Sequence, residues 1–171
     1  MASALKNLSD YDEQNLSSAK PYVFGVVVSE WNAPITHALY EGCLETLTKN
    51  GALEKNIHTV QVPGSFELPA GAKLLTASGR FDAIICIGCI IKGETKHDEY
   101  ISQAVATGLT GLSIASGTPC IFGVLTPNTE EQARERAGGK HGNKGVEAAI
   151  TAIRMAALRD ELSKPANKIG F

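Results

Sequence analysis

From Tyr22 onward, short runs that are apolar on both parities alternate with longer stretches that are apolar at every third or fourth position. The first pattern predicts strands buried on both faces, the second helices with one buried stripe. Tyr22 to Val28 is the first predicted strand. Ile35 to Lys49 is the first helix, with Leu39, Cys43, Leu44 and Leu47 on one face and Asn50-Gly51 as its stop. Ile57 to Val62 alternates as a second strand and is broken by Pro63-Gly64. Glu67 to Ala77 then forms a short helix with Pro69 in its first turn, where a missing N–H costs nothing. Ala83 to Ile91 is the most apolar strand. Behind it, Tyr100 to Ser116 carries a stripe of Ile101, Ala104, Val105, Leu109, Leu112 and Ala115. Cys120 to Thr126 is a fourth strand, and Thr129 to Ala137 is a charged helix opened by the capping-box-like Thr129-Glu130-Glu131-Gln132. Gly138 to Gly145 reads as a loop before a last helix striped by Val146, Ala149, Ile150, Ile153 and Ala157.

Strand and helix alternate throughout, so the pattern predicts an α/β fold: a parallel sheet joined by right-handed crossovers, with helices on both sides. Ligands bind such sheets at the carboxyl ends of the strands. That rule gathers four distant turns onto one rim: Trp31-Asn32, Gly64-Ser65-Phe66-Glu67, Gly93 to His97, and Thr126-Pro127-Asn128. One domain is expected over residues 21–163. Residues 1–20 are polar and without period, a tail that stays mobile or takes order from a neighbouring subunit. Residues 164–171 form a second polar tail.

Composition narrows the function classes. The 171 residues carry a formal charge of −2, with no basic excess to neutralise a nucleic-acid backbone. No window approaches a membrane span and the N-terminus lacks a secretory pattern, so a cytosolic protein is expected. Cys43, Cys86, Cys89 and Cys120 fall in or beside predicted strands and helices, where thiols act as small apolar groups. The Cys86-Ile87-Gly88-Cys89 spacing lies inside a strand and has no second ligand pair, so neither metal nor redox function is expected. Dinucleotide and nucleoside triphosphate motifs are absent.

Chemistry concentrates in Gly93-Glu94-Thr95-Lys96-His97-Asp98, a strand-to-helix turn. Thr95 or Asp98 can cap the helix, and the N–H groups of its first turn make either an ordinary capped turn or an anion site. His97 is the best candidate for proton transfer. Trp31, the only tryptophan, can stack on a flat heterocycle or lie over the core, and Glu67 can accept hydrogen bonds from a polyol or simply face its helix dipole. Arg136, Lys140 and Lys144 form a cationic group that suits solvent or a phosphate ester equally.

Four segments, taken together, resemble lumazine synthases in order and spacing from about Tyr22 to Leu162. They are Pro63 to Pro69, Gly88 to His97, Ile121 to Thr126, and Glu135 to Gly138 with Gly142-Asn143-Lys144-Gly145. The resemblance implies a flavodoxin-like three-layer α/β/α sandwich around a four-stranded parallel sheet of order 2-1-3-4. It also implies an activity: condensation of 5-amino-6-(D-ribitylamino)uracil with 3,4-dihydroxy-2-butanone 4-phosphate to 6,7-dimethyl-8-ribityllumazine, phosphate and water, in riboflavin synthesis, with no metal and no organic cofactor. By position, Trp31 would stack on the pyrimidine with Asn32 beside it, and Ser65, Phe66 and Glu67 would hold the ribityl chain. Ile90 and Ile91 would offer backbone groups to the uracil edge, and Phe122 and Lys144 would complete the pocket. Glu94, Thr95 and Arg136 would bind phosphate, and His97 would move protons.

The same resemblance implies a homo-oligomer in which Phe122 and Arg136 reach the site from the adjacent subunit. Its first level is a pentameric ring. The compact Gly138 to Gly145 stretch lacks the extra residues often found in pentamer-only members, which favours twelve pentamers in an icosahedral shell, with riboflavin synthase as a candidate partner. A silent lumazine- or flavin-binding relative would have lost His97, Thr95 or Arg136, and all are present. A flavodoxin-like redox domain would need a phosphate cradle after the first strand, where Ser29-Glu30-Trp31-Asn32 stands.

Overall fold

The computed structural model describes residues 7, 9–12 and 14–164. Four strands form one parallel sheet of order β2-β1-β3-β4: β1 (Phe24–Ser29), β2 (Ile57–Val62), β3 (Ala83–Cys89) and β4 (Cys120–Leu125). This is the three-layer, flavodoxin-like arrangement that the sequence pattern and the resemblance led one to expect. Every residue of β1 and β3 is buried, because successive side chains leave opposite faces of a strand and both faces are covered. Phe24, Val26 and Val28 of β1 and Ile85 and Ile87 of β3 join Leu39, Leu47, Ala149 and Ile153 in one core, beneath α1 (Ala33–Lys49) and α5 (Lys144–Ser163). Val27, Ile84 and Cys86 join Leu68, Leu75, Val105 and Leu109 in the other, beneath α2 (Leu68–Ser78) and α3 (His97–Ser116). Fully burying one such aliphatic side chain contributes about 1.5–3 kcal/mol.

The α1–α5 contact is close because small residues line it. Ala148, Ala149, Ala152 and Ala156 are buried on α5, and a Cβ on Gly145 would fall on the Leu39 carbonyl oxygen, so only glycine permits the approach. Asn143 caps α5 by accepting from Gly145 N at 2.8 Å, while its Nδ2 donates to Ala38 O at 2.8 Å. A side-chain cap of this kind contributes about 1 kcal/mol.

The Gly138 to Gly145 stretch is not a plain loop. It holds a small antiparallel hairpin, β5 (Ala137–Gly139) and β6 (Gly142–Asn143), turned by Gly138 and Gly142 at φ 113° and 79°. Glycines carry no alternating side chains, so the pattern of polarity had nothing to show. The hairpin also shortens the charged helix to α4 (Glu130–Glu135), with Arg136 at its C-cap. The Thr129 cap is as expected, its side chain accepting from Gln132 N.

Part of the N-terminal stretch is described. Ser9 Oγ accepts from Asn143 N at 3.0 Å, Ala19 is fully buried, and Ala19 N donates to Asn50 O at 2.9 Å, all within the same chain. The expected C-terminal tail lies outside the described residues beyond Lys164.

Candidate active site

At the carboxyl end of the sheet, the turns after β1, β2 and β3 and the first turns of α3 enclose a cavity of about 800 Å³. Trp31 and Asn32 come from the first turn, Ser65, Phe66 and Glu67 from the second, Ile90, Ile91 and Thr95 from the third, and His97 from the helix. The fourth expected turn supports this rim without lining the cavity. Leu125 O accepts from Ile90 N at 2.8 Å and Pro127 O accepts from Lys92 N at 3.0 Å, holding the β3 turn from behind.

Trp31 is 74% exposed, so it is not a lid over the core. Its backbone N–H donates to Pro63 O at 3.1 Å. Asn32 adopts the left-handed conformation (φ 62°, ψ 41°) and its Nδ2 donates to Cys89 O at 2.9 Å. Ser65 is buried, its Oγ 3.5 Å from the Ser29 Oγ, whereas Phe66 stands 58% exposed on the wall. Because Ile90 N is occupied by Leu125, the edge offered to a ligand consists of the Ile90 carbonyl and the backbone groups of Ile91, which have no hydrogen-bond partner among the described residues.

Neither Thr95 nor Asp98 caps α3. The helix starts at His97, earlier than the apolar stripe suggests, and the cap position is Lys96 with no side-chain bond. Thr95 lies one residue too early, and Asp98, already in the first turn, reaches back to Gly93 N at 3.4 Å. The helix terminus is therefore uncapped, and the N–H groups of Glu94 and Thr95 are unpartnered among the described residues. The Glu94 side chain is exposed.

Of the expected site residues, Glu94, Phe122, Arg136 and Lys144 do not line this cavity. Phe122 is half-buried against the α2/α3 core. Arg136 Nη1 donates to Gln132 O at 3.1 Å, and Lys144 Nζ pairs with Glu147 at 2.6 Å. The two are tied by Lys144 N donating to Arg136 O at 2.9 Å. Conversely, Tyr100, Ile101 and Ala104 do line it; Ile101 also packs against the α2/α3 core, as its place in the stripe suggests, whereas Ala104 is exposed. The earlier helix start was the missing signal, since it puts the first two turns of α3 beside the turn after β3.

Cys86 and Cys89 lie three positions apart on one strand and pack into opposite cores. Burial pushes the Cys89 thiol up to about 12, so at neutral pH it is a protonated apolar group and no nucleophile.

Residues 21–160 match the family described as 6,7-dimethyl-8-ribityllumazine synthase. The chain belongs to that family. Proteins bearing this name are similar over nearly the whole chain. The one from Flavobacterium psychrophilum is 53% identical over 161 residues, covering 94% of this chain and 85% of its own. The one from Cytophaga hutchinsonii is 54% identical over 159 residues, covering 92% and 98%. The one from Phocaeicola vulgatus is 48% identical over 164 residues, covering 96% and 98%. All candidate residues, from Trp31 to Lys144, fall within the span matched to the lumazine synthase family.

Proposed function

We propose that the chain condenses 5-amino-6-(D-ribitylamino)uracil with 3,4-dihydroxy-2-butanone 4-phosphate to give 6,7-dimethyl-8-ribityllumazine, as its membership of the lumazine synthase family supports. The observation that carries the reading is the single cavity joining an exposed indole, a free backbone edge, a carboxylate and an uncapped helix terminus beside an imidazole. The indole suits the flat pyrimidine, the Ile90–Ile91 edge its hydrogen-bonding groups, and Ser65, Phe66 and Glu67 the ribityl chain. The unpartnered N–H groups of Glu94 and Thr95 suit the phosphate.

The chemistry then needs proton transfers at one end of the cavity. The 5-amino group attacks the ketone carbonyl and water leaves, forming an imine. Loss of the neighbouring carbon-bound proton lets phosphate depart, and the resulting enol becomes a ketone. The ribityl-bearing nitrogen closes the ring on that carbonyl and a second water leaves. His97, at the first position of α3, carries protons between these steps.

Charge at the phosphate end supports a shared site. Lys92 and Lys96 face three carboxylates, Glu94, Asp98 and Glu99, in the same short stretch. A doubly charged phosphate needs a further cation there, and Arg136 of a neighbouring copy supplies it, with Phe122 and Lys144 completing the wall. A ring built head to tail gives each site such a neighbour. The ring is a pentamer, with an icosahedral shell of twelve as the next level and riboflavin synthase as a candidate partner. The protein works in the cytosol, a reading that suits four free cysteines. The test is to mix the two substrates with the protein: lumazine absorbance should rise well above the protein-free rate, and a rise equal to that in buffer would overturn the reading.

A further inference from the structure

Asn32 is the only residue other than glycine with a positive φ among those described. A left-handed backbone costs most residues about 1–2 kcal/mol, and asparagine is among the few that tolerate it. Its side chain meanwhile crosses from the turn after β1 to the end of β3. The paired register of these strands ends at Val28 opposite Ile87. Beyond that point, Glu30 N and Trp31 N lean the other way, onto Val62 O at 2.8 Å and Pro63 O at 3.1 Å. Among the described residues, Asn32 Nδ2 to Cys89 O is the one side-chain hydrogen bond that ties the Trp31 turn to the Ile90–Ile91 edge.

These two walls are the ones between which a flat ring must fit. Trp31 is not packed into place, since three-quarters of it is exposed; its direction follows from the backbone on either side. The Ile90 edge is anchored from behind by Leu125 O. The Asn32 bond therefore sets the spacing between aromatic wall and polar edge. Asparagine meets both demands here. Glycine accepts the backbone but has no donor, aspartate fits the backbone but turns a carboxylate oxygen on the Cys89 carbonyl, and alanine meets neither demand.

We infer that Asn32 is a positioning residue for pyrimidine recognition, acting through the Cys89 carbonyl to hold Trp31 at stacking distance from the Ile90–Ile91 edge. This rests on the proposed lumazine synthase reaction. The role assigned is that of the one N–H engaged on the Cys89 carbonyl, apart from any contact that the second N–H or the Oδ1 of the same amide could make.

The test compares wild type, Asn32→Gly and Asn32→Asp by thermal melting, by Trp31 fluorescence quenching with 5-amino-6-(D-ribitylamino)uracil, and by KM for each substrate. Asn32→Gly should melt near the wild type. Its Kd and KM for the pyrimidine should rise about three- to tenfold, the worth of one net hydrogen bond, with KM for the phosphate ketone unchanged. Asn32→Asp should be worse for the pyrimidine than Asn32→Gly. Pyrimidine binding equal to wild type in both variants, or equal losses for both substrates, would overturn the inference while leaving the reaction itself intact. A wild type that neither binds the pyrimidine nor forms lumazine would overturn the reaction and this role with it.

Discussion

Gly88 packs against Ser65, which lines the cavity: a methyl group on Gly88 would lie 2.6 Å from the Ser65 Oγ and 2.9 Å from Leu68 Cδ1. Neither neighbour can retreat easily, since Ser65 is 7% exposed and Leu68 fully buried. Gly88→Ala should push the Ser65–Glu67 turn outward, destabilising the fold by about 1–3 kcal/mol, as overpacking does. It should also weaken pyrimidine binding. Thermal melting and the pyrimidine KM check this together, and a variant unchanged in both would show that the turn does not depend on the missing side chain.

Arg136→Ala should spare the fold and cost phosphate affinity. Among the described residues of its own chain the guanidinium holds only the Gln132 carbonyl, an exchangeable contact, whereas a charge-assisted pair with phosphate contributes on the order of 1.5–3 kcal/mol. KM for the phosphorylated ketone should therefore rise roughly ten- to a hundredfold. An unchanged KM would remove Arg136 from the site.

His97→Ala should slow turnover without abolishing it. Imine formation proceeds without a catalyst, and general acid–base assistance is typically worth about 10² to 10⁴-fold. His97 is exposed at the start of α3, so melting and pyrimidine affinity should stay near wild type. Wild-type turnover across neutral pH in this variant would exclude the imidazole from the mechanism.

Much of this site was legible in the residues because two-sided burial and helical spacing leave strong periodic marks. Those marks locate β1, β3 and the helices around them, and the carboxyl-end rule then brings Trp31, Ser65, Glu67 and His97 to one rim. What escaped the pattern has no period to show. The left-handed Asn32 and its bond to Cys89 depend on the spacing of two distant turns. The β5–β6 hairpin is built largely of glycine. Ala104 looks like core because an apolar residue facing a cavity and one facing a core share the same stripe, and Ile101 does both. Phe122, Arg136 and Lys144 lie away from the cavity of their own chain, and any part they play there requires a second copy.

That requirement predicts an oligomer. At the C-terminal ends of α3 and α5, Ile114 and Leu162 are 79% and 75% exposed beside a groove of about 490 Å³, apolar surface of the kind that copies of a chain cover in an assembly. With a chain of 18.1 kDa, light scattering should give about 90 kDa for a ring or about 1.1 MDa for the shell. A mass near that of one chain would contradict the shared site.

If the proposed reaction holds, one cavity performs both the condensation and the loss of phosphate. Following lumazine by absorbance and inorganic phosphate by a coupled assay in the same reaction tests it most directly. One phosphate should appear for each lumazine, both faster than in buffer and both dependent on the presence of the two substrates. Phosphate released without the pyrimidine, or no lumazine above the protein-free rate, would contradict it.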